Sequence, residues 1–157
     1  HAKSSWADAG QRDFDRPLNG RGERNAPEMA ARIAARGRRP QLIVASGARR
    51  ALMTAQLMAK ELGYAKKDIE IVDALYATSP RTWLEQIGAL PVAIDTALMV
   101  GHNPELTELA NRLCPAAHID NVPTCGVLWL AYEVLAWDEV PGATPVEWDF
   151  DYPKRGA

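Results

Sequence analysis

The amino-acid sequence predicts a three-layer α/β/α fold with a mostly parallel sheet and an antiparallel edge strand. Short apolar runs of strand length alternate along the chain with longer segments of helical spacing. This alternation is typical of a parallel sheet that helices cover on both faces. Neither an internal repeat nor an interdomain linker interrupts it, so residues 1–157 are expected to form a single domain.

The individual elements follow from hydrophobic spacing and from the residues that bound each segment. Helical spacing predicts helices over residues 19–36, 48–62, 79–88 and 103–113. Short apolar runs predict strands over residues 42–45, 69–72, 97–100, 127–134 and 146–152, and the last two are expected to pair antiparallel at an edge. Gly37 and Gly63 end the first two helices, and Ser79 with Pro80 opens the third. The polar residues 1–17 are expected to form a loop.

Composition and charge narrow the class of protein. The chain has 157 residues, of which 47% are hydrophobic, and a formal net charge of −2. We therefore expect no nucleic-acid partner. We also expect no membrane association, since no apolar run approaches the roughly 18 residues that a membrane span needs. Cys114 and Cys125 form no CxxC motif and are expected to be small core residues of a cytoplasmic protein.

The charge is distributed unevenly along the chain. Residues 1–50 carry 11 Lys/Arg and 5 Asp/Glu, whereas residues 51–157 carry 7 Lys/Arg and 15 Asp/Glu. Two interpretations remain open: solvated helix faces, or a basic first third that helps to bind an anion.

The carboxyl ends of the predicted strands are where a ligand is expected in an open α/β sheet. After strand 42–45, Ser46 is placed to cap the next helix and Arg50 lies in its first turn, where unpaired N–H groups favour anions. A guanidinium there matches two phosphoryl oxygens at once, although a solvated surface arginine is the commoner case. Arg49 points about 100° away and suits that commoner case.

A second strand end carries a histidine. Gly101 follows strand 97–100 and permits close backbone approach, and His102 lies where strand gives way to helix. A single histidine is most often structural, but two strand ends with cation-capable side chains together favour a functional site. His1, by composition alone, is only part of a loop.

Three segments, in order, resemble motifs of the histidine phosphatase superfamily, and of its SixA-like members in particular. They are His1-Ala2-Lys3-Ser4-Ser5-Trp6 with Asp13 to Gly22, then Ser46 to Ala55, and then Val100-Gly101-His102-Asn103-Pro104. The resemblance covers His1 to about Leu113 and implies a phosphoglycerate mutase-like fold.

The resemblance implies a phosphatase with a phosphohistidine intermediate and without a metal or cofactor. His1 is then the nucleophile, and His102 and Arg50 hold the phosphoryl oxygens. The further substrate-binding residues are Arg16, which borders the pocket, Ser46 and Gly101. Since the ordinary pKa of histidine is about 6.5, His1 can be neutral and nucleophilic at physiological pH. The implied partner is a phosphate-bearing substrate, with a histidine-phosphorylated signalling protein among the candidates.

Two departures from the family pattern affect these expectations. The family nucleophile follows an arginine at the end of a first strand, and we expect the natural protein to continue upstream of His1 with that strand. Mutase-like relatives carry a glutamate after the strand that corresponds to residues 69–72, whereas here Asp73 is the nearest carboxylate and is expected on the wrong face. Without that acid, phosphohistidine is favoured over a sugar phosphate, because its leaving group departs more easily.

Two alternatives remain open beside the phosphohistidine phosphatase. One is a phosphatase for a small phosphorylated metabolite, and the other is a phosphate-binding module without turnover. A mutase is disfavoured, because the glutamate and the insertions that close the larger mutase pockets are missing.

Overall fold

Five strands and four α-helices, with short 3₁₀ turns between them, form the regular structure of residues 1–156, which the computed structural model describes. The strands are β1 (Leu42–Ala45), β2 (Glu70–Ile71), β3 (Ala97–Val100), β4 (Val127–Ala131) and β5 (Glu147–Asp151). The helices are α1 (Gly20–Ala35), α2 (Arg49–Leu62), α3 (Pro80–Gly88) and α4 (Glu105–Leu113). The predicted α/β class is confirmed, and β2, β4 and β5 are each shorter than their apolar runs.

The three layers follow from the alternation of side chains along β1. Ile43 and Ala45 belong to a core cluster with the alanines of α2, which lies on one face of the sheet. Val44 points the other way and belongs to a cluster with Trp83 of α3 and Leu109 of α4. The helix α1 packs against α2. With α2 on one face and α3 and α4 on the other, both faces of the sheet are covered.

The sheet itself is in two parts. β2, β1 and β3 form a parallel sheet in that order, and β4 pairs antiparallel with β5. Within residues 1–156, β3 and β4 are not hydrogen-bonded to each other. A cavity of about 270 Å³ lies at this division, lined by Leu98 and Met99 of β3 and by Leu128 and Trp129 of β4.

The start of α2 differs from its prediction. The helix begins at Arg49 with Ala48 as its N-cap, and no side chain caps it. Ser46 lies earlier, in the turn, where its hydroxyl accepts a hydrogen bond from the Ala48 N–H at 3.2 Å. The prediction that Ser46 caps the helix is therefore wrong, because the turn takes two further residues before helical geometry begins.

Part of the charge asymmetry is neutralised across the fold. Arg32 of α1, and Arg36 and Arg38 just after this helix, form ion pairs with Asp149 and Asp151 of β5, at distances of 2.9 to 3.1 Å. These arginines join the first helix to the last strand. Three of the basic residues in the first third therefore serve the fold rather than a ligand.

Two further findings concern the chain as a whole. Cys114 and Cys125 are free and buried, as predicted. No helix within residues 1–156 has both the length and the apolar character that crossing a bilayer demands.

Candidate active site

His1, Arg50 and His102 lie together at the carboxyl ends of β1 and β3. The Nε of Arg50 donates a hydrogen bond to Nε2 of His1 at 3.2 Å, and the ring centroids of His1 and His102 are 5.0 Å apart. Arg50 and His102 are each only 6% exposed. Residues that are far apart in the sequence meet here because β1 and β3 are parallel neighbours that end at the same edge.

Backbone hydrogen bonds anchor His1 on both sides. Its main-chain nitrogen donates to the carbonyl of Gly101, just after β3, at 2.9 Å. Its carbonyl accepts from the N–H of Cys125, just before β4, also at 2.9 Å. The next N–H, that of Ala2, donates to Oγ1 of Thr54 in α2 at 3.0 Å. His1 therefore sits between β3 and β4 at the edge of the cavity that divides the sheet.

The hydrogen bonds of the His1 ring determine its tautomer. Nδ1 lies 2.6 Å from the carbonyl oxygen of Ala2, and since a carbonyl oxygen only accepts, Nδ1 carries the hydrogen. Nε2 then accepts from Arg50. The ring is therefore neutral, with its free electron pair on Nε2 and directed at the guanidinium of Arg50.

His102 is a buried, neutral imidazole. Its Nε2 lies 2.8 Å from the hydroxyl of Ser46, which is fully buried. Burial, together with the nearby positive charges of the His1 amino group and of Arg50, lowers the pKa of His102 to about 3. Its Nδ1 is buried and has no hydrogen-bond partner among residues 1–156.

Arg16 is joined to Arg50 through the carboxylate of Asp13. Arg16 is 6% exposed, donates to the hydroxyl of Ser4 at 2.8 Å and forms an ion pair with Asp13 at 3.0 Å. Asp13 also forms an ion pair with Arg50, again at 3.0 Å. Hydrogen bonds from Tyr76, Arg50 and Arg16 lower the pKa of Asp13 to about 2. Arg16 therefore borders the site through an ionised carboxylate.

Gly101 and Asp73 each pack closely against a neighbouring residue. A Cβ at Gly101 would collide with the indole of Trp83, so the close approach that this glycine allows is that of a core side chain. A Cβ at Gly47 would likewise collide with the carboxylate of Asp73. Among the described hydrogen bonds, none joins Asp73 to His1, Arg50 or His102.

Sequence reasoning missed Asp13 and Tyr76. The spacing of Asp13 and Arg16, three residues apart in a short helical turn, was a signal for their ion pair. No local signal pointed to Tyr76, whose hydroxyl reaches Asp13 from 63 positions along the chain. Among residues 1–156, no three histidine, cysteine, aspartate or glutamate side chains are grouped to hold a metal ion.

The model of the histidine phosphatase superfamily (branch 1) matches residues 1–83, which is more than half of the chain. The chain belongs to this superfamily. The matched segment contains His1, Arg16 and Arg50 and ends before His102. Membership in the histidine phosphatase superfamily supports a phosphatase as the class of enzyme.

Two relatives of this superfamily member carry names that assign no function. One is a chloroplastic protein of Arabidopsis thaliana, 30% identical over 147 residues, which cover 88% of this chain and 66% of that protein. The other is from Mycobacterium tuberculosis strain H37Rv, 33% identical over 122 residues, which cover 76% of this chain and 72% of that protein. The chain therefore spans about two thirds of the length of the first relative.

Solved structures of SixA proteins share the fold. The SixA of Agrobacterium tumefaciens, provisionally assigned as a phosphohistidine phosphatase, has a TM-score of 0.78 at 31% identity, covering 98% of this chain and 94% of that one. The protein histidine phosphatase SixA in complex with tungstate has a TM-score of 0.77 at 18% identity, covering 97% and 90%. At that identity the second likeness concerns the fold alone.

Proposed function

We propose that the chain is a phosphatase that hydrolyses phosphohistidine on a protein, through a phosphoryl group carried by His1. The observation that carries the proposal is the unprotonated Nε2 of His1 beside the buried Arg50, with His102 next to both. A nucleophilic nitrogen next to a guanidinium and a neutral imidazole suits phosphoryl transfer, since that reaction depends on positioning and charge stabilisation.

The reaction proceeds in two displacements. A phosphoryl group enters between His1 and Arg50, so that the guanidinium binds phosphoryl oxygens in place of the nitrogen it now contacts. Nε2 of His1 then attacks phosphorus in line, and the P–N bond of the substrate breaks. The substrate imidazole, which carries a proton on its other ring nitrogen, leaves as a neutral group. Water attacks the phosphorylated His1 in the second displacement and releases inorganic phosphate.

Arg50 and His102 stabilise the charge of the transferring group. The guanidinium of Arg50 donates two parallel hydrogen bonds to phosphoryl oxygens. When the Ser46 hydroxyl donates to Nε2 of His102, the buried Nδ1 of that ring carries a hydrogen that a phosphoryl oxygen can accept. Both side chains are buried and in place before the substrate arrives, and Arg50 exchanges its present hydrogen-bond partners for phosphoryl oxygens.

We assign phosphohistidine as the substrate because the site lacks a general acid among the described residues. An alkoxide leaving group needs a proton in the transition state, and a positioned acid contributes about 10² to 10⁴ to such a step. Among the described residues, no carboxylic acid is hydrogen-bonded to the three residues of the site except Asp13, which is ionised. The likeness to SixA proteins that are named as phosphohistidine phosphatases supports the same choice.

A panel of substrates tests this proposal. We expect a histidine-phosphorylated protein and an aryl phosphate to be hydrolysed at least about 10² times faster than 3-phosphoglycerate, because their leaving groups need little protonation. Asp73→Asn should leave the aryl phosphate rate nearly unchanged. Initial rates of phosphate release measure both effects.

Other results of the substrate panel would favour a metabolite phosphatase or a phosphate-binding module. Equal rates on 3-phosphoglycerate and phosphohistidine would contradict the substrate assignment and favour a metabolite phosphatase. Tungstate binding without turnover of any substrate would favour a phosphate-binding module.

We further propose that a strand enters directly upstream of His1 and positions this nucleophile. His1 is bonded to the carboxyl end of β3 and to the amino end of β4. A segment that precedes it would therefore run through the cavity between them, parallel to β3 and antiparallel to β4. Such a strand would satisfy the backbone groups that face the cavity and would join the two parts of the sheet.

Adding five residues before His1, four of them valine or isoleucine and the last an arginine, tests this placement. We expect the Tm to rise by roughly 5 °C or more, because apolar side chains fill the cavity and backbone groups gain partners. The matched control is a five-residue extension of glycine and serine. Equal Tm values for the two extended proteins would contradict the placement.

A further inference from the structure

The carboxylate of Asp13 lies between two buried arginines. Its Oδ2 accepts hydrogen bonds from Nη2 of Arg50 at 3.0 Å and from the hydroxyl of Tyr76 at 2.6 Å. Its Oδ1 accepts from Nε of Arg16 at 3.1 Å, and Nη2 of Arg16 lies 3.0 Å away. The Asp13 main-chain carbonyl accepts from the remaining terminal nitrogen of Arg50, Nη1, at 2.7 Å.

Each of the three guanidinium nitrogens of Arg50 donates one hydrogen bond in these contacts, so Asp13 and a phosphoryl group would compete for the same guanidinium. Nη1 and Nη2 both donate to Asp13, and Nε donates to His1. An anion held between two guanidinium groups resembles a bound phosphoryl group in charge and in hydrogen bonding. The position that attracts an external anion therefore already contains an internal one.

The Asp13 carboxylate is more exposed than the two arginines that it contacts. Asp13 belongs to the 3₁₀ turn Asp13–Asp15, and about half of its side chain is exposed, whereas Arg16 and Arg50 are buried. Phe14 of the same turn packs edge-on against the ring of Tyr76. The carboxylate is thus the solvent-facing member of the cluster, and its arginine partners are the fixed members.

We propose that Asp13 is a positioning residue that orients Arg50 and Arg16 and competes with phosphate for them, so that the inorganic phosphate product is released readily. This inference rests on the proposed function, because it assumes that phosphate occupies this pocket. When substrate binds, the carboxylate yields the Arg50 donors to the phosphoryl oxygens. When phosphate leaves, the carboxylate again accepts hydrogen bonds from Arg50.

Asp13→Asn is the decisive variant, because it keeps the size of the side chain and removes its charge. An amide also presents N–H groups to the guanidinium donors, which cannot accept them. We expect the dissociation constant for tungstate, a phosphate-like oxyanion, to fall by roughly tenfold, the order expected when one unit charge is removed a few ångströms from the anion at a half-exposed site. We also expect turnover to fall, because product leaves more slowly and Arg50 is less well oriented.

Asp15→Asn is the matched control. Asp15 lies in the same turn and carries the same charge, but its partner is the exposed Arg12, at 2.8 Å. The tungstate dissociation constant of this variant should equal that of the unchanged protein. Calorimetric titration with tungstate measures all three proteins without depending on turnover, and thermal unfolding establishes that each is folded.

The outcomes separate this inference from the proposed function. Equal or weaker tungstate binding by Asp13→Asn, with binding by the unchanged protein intact, overturns the role of Asp13 and leaves the proposed function standing. No tungstate binding by either protein overturns the proposed function itself. If Asp13→Asn does not fold, Tyr76→Phe replaces it. Loss of that hydroxyl should tighten tungstate binding by roughly fivefold at most, the worth of one hydrogen bond, and unchanged or weaker binding overturns the inference.

Discussion

Replacing His1 by alanine is expected to lower phosphatase turnover by about 10³-fold or more and to abolish the phosphoenzyme. The reason is that Nε2 of His1 is the one imidazole nitrogen in the site with a free electron pair directed at the Arg50 guanidinium. Without it, water would have to attack the substrate directly, and removal of a nucleophile commonly costs this much or more.

Mass spectrometry of acid-labile phosphate, after incubation with a phosphodonor, measures the intermediate. The unchanged protein should carry phosphate on His1, and His1→Ala should carry none. His118→Asn is the matched control, since His118 is an exposed histidine with a backbone φ of 46°, a conformation that asparagine tolerates. Phosphate on His118, or full activity of His1→Ala, would contradict the assignment of the nucleophile.

Replacing Arg50 by alanine is expected to lower kcat/KM by roughly 10²- to 10³-fold. Arg50 is buried, contacts Nε2 of His1 and presents a planar fork at the start of α2. Loss of one preorganised donor to a developing negative charge commonly costs this much. Arg50→Lys should recover only part of the loss, because an ammonium keeps the charge but cannot form two parallel hydrogen bonds.

Arg49→Ala is the matched control for this change. Arg49 precedes Arg50 in the same helical turn but is exposed, so its removal should change kcat/KM little. Thermal unfolding of both variants separates loss of turnover from loss of folding. Equal effects of the two alanine substitutions would contradict the placement of Arg50 in the site.

The difference between Arg49 and Arg50 shows how far helical periodicity carries a prediction. Successive residues of a helix point about 100° apart, so the apolar face of α2 determines which arginine is buried. Arg50 shares the buried side of α2 with Ala51 and Thr54, and Arg49 does not. A local pattern sufficed here because the spacing of apolar residues within α2 indicates both the helix and its core-facing side.

Ser46 and Gly101 each have a close neighbour that no local pattern indicates. Ser46 has the side chain of a helix cap, but its hydroxyl lies 2.8 Å from His102, which is 56 positions away in the sequence. Gly101 has the freedom of a glycine near a ligand, but it makes room for the indole of Trp83. Each residue is explained by a neighbour that only the folded chain supplies.

The sequence by itself determined the α/β class, the order of the elements and the family, because apolar spacing and motif order are properties of contiguous residues. Only the tertiary structure decided that Asp13 and Tyr76 join Arg16 and Arg50, and that β3 and β4 lie apart across a cavity. These features depend on which strand ends and loops meet in space. Asp13 and Tyr76 are far apart in the sequence, and a contact between such residues produces no periodic pattern from which it could be predicted.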